Sequence, residues 1–213
     1  MFIVFEGIDG SGKGTQMLLL AEYIKKLDKY QDILLTHEPW KSKKIKERLE
    51  KEKDAFSSGL EIARLFVHDR KMHSNRLIIP TIRKGIFVVC DRYILSTVAY
   101  QSTQGIPISR LVHMHSKKKI LVPDVTFFID VPSEIAEERL KKRGDPIEKF
   151  EKREFRDKLI HQYKEVIRQF QDKRQENIIV IDGSKDVQSI AKNIKQKFEA
   201  VYNNWIIENK NGS

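Results

Sequence analysis

An α/β fold, with a five-stranded, doubly wound parallel sheet and helices on both faces, is what the apolar pattern of this chain predicts. Five short runs rich in Val, Ile and Phe lie at Phe2–Phe5, Ile33–Leu35, Ile86–Cys90, Val125–Val131 and Ile178–Ile181. Continuous apolar runs of this length mark strands buried on both faces, as in parallel sheets. Segments of helical spacing fall between them, which supplies the crossovers that parallel strands need.

The first run ends in a glycine-rich turn, Gly7 to Gly12, followed by Lys13 and a helical pattern over Gln16–Leu27 with Leu19, Leu20, Tyr23, Ile24 and Leu27 at helical spacing. Strand, glycine loop and helix in this order form a phosphate cradle. Glycines let successive backbone N–H groups turn inward, and the helix adds its positive N-terminal end. Lys13 adds a charge for the β- and γ-phosphates. Gly-x4-Gly-Lys alone arises by chance about once in 3,000 positions, so its place between a strand and a helix carries much of the weight. The usual motif puts Ser or Thr after the Lys. Here Gly14 stands there and Thr15 comes one later, an ending that resembles adenylate kinases.

Further helices are expected at Ser57–Thr81, Ser133–Arg143, Glu148–Arg174 and Val187–Val201, with Asn209–Ser213 as a frayed tail. One domain over residues 1–208 accounts for the chain, with no internal repeat. The stretch Arg139–Arg156 is dense in charge and broken by Gly144-Asp145-Pro146, a profile that fits a mobile lid or a plain exposed loop.

The single cysteine, Cys90, lies inside an apolar run, so no disulfide forms within the chain and a reducing compartment fits. With no signal peptide and no bilayer-length apolar run, a cytoplasmic protein without membrane contact is expected. The net charge of +10 attracts polyanions, but Lys and Glu are interleaved along the helices. Nucleotide phosphates are therefore the expected anion, and nucleic acid is not an expected partner.

Two more places carry chemistry. Asp91-Arg92 directly follows the strand Ile86–Cys90, at the carboxyl edge of the sheet. A carboxylate there can hold Mg²⁺ or its waters, and an arginine can fork onto a phosphate. A strand-end ion pair is the simpler alternative. Phe66 and Arg70 share a helical face, either as a base-binding pair or as one core and one surface residue.

Five landmarks in order over nearly the whole chain resemble the thymidylate kinases, a family of nucleoside monophosphate kinases. They are Phe5-Glu6-Gly7-Ile8-Asp9-Gly10-Ser11-Gly12-Lys13, Thr36-His37-Glu38-Pro39, Leu65-Phe66-Val67-His68-Asp69-Arg70, Asp91-Arg92-Tyr93 continuing to Tyr100-Gln101, and Pro123-Asp124-Val125 continuing to Asp130-Val131. The resemblance implies a phosphate-loop (P-loop) NTPase fold with a mobile lid, ATP and Mg²⁺ as cofactors, dTMP as acceptor and a homodimer. It implies that Gly7, Ile8, Asp9, Gly10, Ser11, Gly12, Lys13, Gly14 and Thr15 hold the ATP phosphates, with Arg139 and Gly183 also on the ATP side. The same resemblance implies that Asp9 takes the acceptor's 3′-hydroxyl, that Phe66 stacks on thymine and that Arg70 bonds its edge. Glu38, Ser96, Thr97 and Gln101 belong to the acceptor site, and Tyr100 crowds the 2′ carbon. Lys13 and Arg92 act on the phosphates. Asp91 organises the metal together with Thr15.

Some family members carry an arginine inside the phosphate loop, and others place the catalytic basic residues in the lid. This loop has none, so Arg143 is the expected catalytic arginine, with Lys149 as helper. Two departures stand out. His37 occupies a position that is arginine in many members, and Trp40-Lys41 replaces Gly-Gly after Glu-Pro. Lys46 or Arg48 are candidates for a replacement charge. The rival readings are another nucleotide kinase of the same fold and a phosphate-loop protein that binds polyanions without turnover.

Overall fold

The structure, a computed structural model, describes residues 1–51, 54–144 and 153–210, the last three by backbone alone. Five strands form one all-parallel sheet: β1 (Phe2–Glu6), β2 (Ile33–His37), β3 (Phe87–Asp91), β4 (Val125–Asp130) and β5 (Ile178–Asp182), in the order β2-β3-β1-β4-β5. The central β1 lies between β3 and β4. Crossovers leave it in both directions, and a crevice opens at its carboxyl end. Phe5 stands level with Asp91 and Glu6 with Phe128, so the loop after β1 and the residues after β3 emerge side by side.

Strand alternation splits the core into two layers. Ile3 and Phe5 join Phe87, Val89, Phe127 and Ile129 under two helices, α1 (Lys13–Leu27) and α9 (Val187–Lys210). Phe2 and Val4 join Val88, Cys90 and Phe128 on the opposite face. That face carries α3 (Gly59–His73), α5 (Ile94–Thr103), α6 (Ile108–Lys117) and α8 (Arg153–Arg174). The remaining helices are α2 (Lys43–Lys51), α4 (Ile79–Ile82) and α7 (Ser133–Arg143).

The helix expected over Ser57–Thr81 runs through a widened π turn, Ser74–Ile78, between α3 and α4. Pro80 sits two residues past that turn and has no N–H for the Arg76 carbonyl. The hydrogen-bond ladder therefore shifts, with Ile79 N–H reaching back to Ser74 O. At the other end of the chain, α9 passes the expected stop at Val201, because Tyr202 and Trp205 pack edge-on against Phe87.

The stretch Arg139–Arg156 is helical at both described ends. Arg139 to Arg143 closes α7, which stops at Gly144 with a left-handed φ of 78°. Arg156 is a buried anchor in α8, bonded to Ser133 Oγ at 2.7 Å and Glu137 Oε2 at 2.6 Å. Residues 145–152, Lys149 among them, lie outside the described residues. Among the described residues no helix is long and apolar enough to cross a membrane.

Candidate active site

Two cavities meet at the carboxyl end of β1. The larger, about 470 Å³, is lined by residues 9–16, Asp91, Arg139, Arg143, Val187 and Ile190. Gly12, with φ of 94°, turns the chain into α1, and Lys13 is its first residue. Only 6% exposed, Lys13 donates from Nζ to the carbonyls of Gly7 and Ile8, both at 3.0 Å, and stands 3.9 Å from Asp9. Burial and the nearby Arg92 push its pKa down against the pull of Asp9. Gly10 must be glycine, because a Cβ there would lie 2.4 Å from the Ala136 carbonyl of α7. Arg139 ties the loop to the opposite wall by reaching the carbonyls of Ser11 and Lys185. The carbonyls of Gly7 and Ile8 accept from Lys13 Nζ, and Gly183 packs on Ile129 with its N–H donating to Asp130 O. Neither they nor Gly183 line the cavity wall.

The smaller cavity, about 180 Å³, brings together every acceptor-site candidate: Asp9, Glu38, Phe66, Arg70, Arg92, Ser96, Thr97, Tyr100 and Gln101. Pro39 and Leu49 complete the wall. Phe66 is half-buried, whereas Arg70 is 1% exposed, so the pair is a cavity-facing ring beside a guanidinium embedded in the core.

Asp9 belongs to both cavities. Its Oδ1 accepts from Arg92 Nη2 at 2.6 Å, and Tyr100 Oη approaches its Oδ2 at 3.4 Å. Burial alone would raise the Asp9 carboxyl, but Arg92 and Lys13 outweigh it and hold the group well below the usual carboxylate range. Arg92 adopts φ of 64°, a left-handed conformation costly for a non-glycine residue. Its N–H bonds to Phe5 O at 2.8 Å, and its guanidinium lies over the Tyr100 ring at 5.1 Å.

Beneath this surface lie residues that sequence reasoning missed. Glu6, fully buried at the end of β1, accepts from the N–H groups of Tyr93 and Ser96 at 2.7 and 3.1 Å and from Ser96 Oγ at 2.5 Å. It thereby caps α5, whose own N-terminal residue provides no side-chain cap. Tyr163 of α8 joins at Ser96 Oγ, 2.9 Å away. His73 bonds Glu38 Oε1 at 3.1 Å and Thr36 Oγ1 at 2.9 Å, and His115 meets Arg70. Each partner lies tens of residues away, so no local spacing announces it.

The departures from the family pattern have visible consequences. His37 ends β2 exposed and outside the cavity walls. Trp40 stacks on His73, with ring centroids 5.2 Å apart, and the backbone N–H groups of Trp40 and Lys41 bond to Asp69. Arg48 turns to Ser58 and Glu61, and Lys46 to Glu50; neither lines the acceptor cavity.

With this geometry in place, relatives sharpen its meaning. A sequence model described as thymidylate kinase matches residues 5–194. The chain belongs to the thymidylate kinase family. A probable thymidylate kinase of Archaeoglobus fulgidus is 33% identical over 95% of this chain and 97% of its own. Thymidylate kinases of Mesomycoplasma hyopneumoniae (strain J) and Thermosipho africanus are 35% and 34% identical, covering 96% and 93% of this chain and 99% and 98% of theirs. The family match spans every residue of both cavity walls, from Asp9 to Ile190.

A metal of the kind that accompanies a nucleoside triphosphate fits one place. Asp91 Oδ1 is buried on the wall of the larger cavity with no hydrogen-bond partner among the described residues, as is Ser11 Oγ within the phosphate loop. Among the described residues no cluster of three acidic, His or Cys ligands is placed to hold a metal. A single carboxylate beside the phosphate loop has the chemistry to hold Mg²⁺, which keeps several waters and is bound through one or two carboxylates plus phosphate oxygens.

The burial of Glu6 makes stability depend on pH. Its carboxyl is raised above 4.5 by desolvation, against the hydrogen bonds of Ser96 and the charge of Arg92. Above 4.5 the folded state therefore binds more protons at this site than the unfolded chain, and its contribution to stability falls as pH rises toward the folded-state value. Urea unfolding of wild type and Glu6→Gln at pH 4.5 and pH 8 is expected to show the wild type losing ground to the variant at the higher pH. A difference that stays constant contradicts the raised carboxyl.

Proposed function

We propose that this chain transfers the γ-phosphoryl group of ATP to dTMP, giving ADP and dTDP. The observation that carries the reading is the joining of two unlike cavities at Asp9: a phosphate loop with its lysine on one side, and a ring, a buried guanidinium and Arg92 on the other. In this reading Gly7 to Thr15 cradle the ATP phosphates and Lys13 meets the β- and γ-oxygens. Phe66 stacks on thymine while Arg70 bonds its edge. Tyr100, whose ring lies under the Arg92 guanidinium, crowds the 2′ carbon, and Asp9 takes the 3′-hydroxyl. Glu38, Ser96, Thr97 and Gln101 shape the acceptor site.

The acceptor phosphate is already anionic at neutral pH, so its oxygen attacks the γ-phosphorus without a general base. Catalysis then rests on positioning and on neutralising charge. Arg92 draws the acceptor phosphate toward the loop. Mg²⁺, when bound with ATP, would supply charge neutralisation at the β/γ-oxygens, with Asp91 and Thr15 as the residues to hold it or its waters. Arg139–Arg156 serves as the lid, excluding water that would otherwise take the phosphoryl group. Arg143 of α7, already on the wall of the larger cavity, meets the transferring group, and Lys149 assists. The family resemblance extends this reading to a homodimer working in the cytoplasm.

Supplying each nucleoside monophosphate separately with ATP and Mg²⁺ and measuring ADP tests the assignment. Strong preference for dTMP is the expected result. Activity spread over other acceptors overturns the base assignment, and none at all favours a binding role. Arg143→Ala should lower kcat by about 10³-fold or more, the range of catalytic arginines in phosphoryl transfer. A fall under about tenfold moves the role to another basic residue of the segment.

A further inference from the structure

Arg70 has five N–H groups to place in a nearly water-free position. Four are taken by the protein. Nε–H donates to Glu38 Oε2 at 2.7 Å, Nη2 serves Tyr93 O at 2.8 Å and Thr97 Oγ1 at 2.9 Å, and Nη1 meets His115 Nε2 at 2.6 Å. The fifth N–H, also on Nη1, has no partner among the described residues, and Arg70 lines the acceptor cavity. The one donor left for a ligand thus sits on the nitrogen that His115 grips.

The chemistry of His115 is fixed by its own helix. Its Nδ1 lies 2.8 Å from the Leu111 carbonyl, one turn back on α6, and a carbonyl only accepts. Nδ1 therefore carries the proton and Nε2 presents a lone pair to the guanidinium. The ring is 2% exposed. Burial, reinforced by the adjacent Arg70 charge, pushes its pKa down to about 3, so the acceptor stays available across the working range of pH.

We propose that His115 is a positioning residue for acceptor recognition. As a neutral hydrogen-bond acceptor behind Arg70 it orients the remaining Nη1 N–H into the acceptor cavity, so that the site prefers a base presenting a carbonyl over one presenting an amino group. Glu38, Tyr93 and Thr97 hold the Nε and Nη2 side of the guanidinium, and His115 is the partner that holds Nη1. Thymine offers a carbonyl where cytosine offers an amino group, which a donor in this place cannot satisfy. The inference rests on the proposed dTMP reading of this cavity.

Steady-state kinetics of wild type, His115→Gln and His115→Leu with dTMP and dCMP separate the outcomes. The Gln amide oxygen can replace the Nε2 lone pair, and Leu cannot. His115→Leu should raise KM for dTMP about tenfold and reduce the preference for dTMP over dCMP by a similar factor. Its KM for ATP and its kcat at saturating dTMP should stay within about twofold of wild type. His115→Gln should stay within about threefold of wild type on every constant. An unchanged KM for dTMP in His115→Leu overturns the proposal. So does a joint loss of kcat and ATP affinity, or a Gln variant as impaired as Leu. If His115→Leu does not fold, His115→Met carries the same comparison with a side chain nearer in length. Failure of the wild type itself to use dTMP would sink the functional reading and is seen before any variant is made.

Discussion

A single carboxylate, Asp9, stands between two cations, 2.6 Å from Arg92 and 3.9 Å from Lys13, and the geometry of both cavities turns on that arrangement. Like charges gathered at one carboxylate repel, and more strongly where little water screens them. Lys13 is buried and Arg92 mostly so, which makes an uncompensated pair costly. Asp9 offsets the repulsion in the free protein. In the proposed reaction two anionic nucleotides enter from opposite sides and face those same cations. The site is thus held close to the charge balance that phosphoryl transfer requires.

Holding the cations there takes support from deeper in the fold. Arg92 keeps a left-handed backbone because its N–H is fixed to β1 and its side chain to Asp9 and Ser96. Ser96 in turn is pinned by Glu6 and Tyr163. A second buried network runs from Thr36 through His73 and Glu38 to Arg70 and His115. Both networks join strand ends to helices on one face of the sheet, where polar groups without partners would each cost about 1–3 kcal/mol. The acceptor cavity therefore lies on a polar scaffold inside an apolar layer, and its walls have little freedom to rearrange.

The strands were legible because each is a short apolar run, and the phosphate loop because its glycines and lysine occur in fixed spacing beside one. Three helices were not. α5 is buried on nearly all sides among α3, α6 and α8, so it shows no amphipathic period. α2 buries only Ile45, and α6 spans just ten residues. Residues lining the cavities could be named from landmarks. The residues holding them in place, Glu6, His73, His115 and Tyr163, reach partners 35 to 157 positions away in sequence, and nothing local distinguishes them. Arg70 shows the limit well: spacing put it on the face of Phe66, but only the structure shows that it is embedded rather than solvated.

The central claim is that the two cavities form one path across Asp9. Calorimetric titration with thymidine and adenosine joined 5′ to 5′ by five phosphates tests it most directly, because that molecule reaches both sides at once. If the cavities are continuous, it binds at least a hundredfold more tightly than ATP or dTMP alone, on the order expected when the second contact becomes intramolecular. Affinity no better than that of ATP would contradict a shared path and separate the two cavities into unrelated sites.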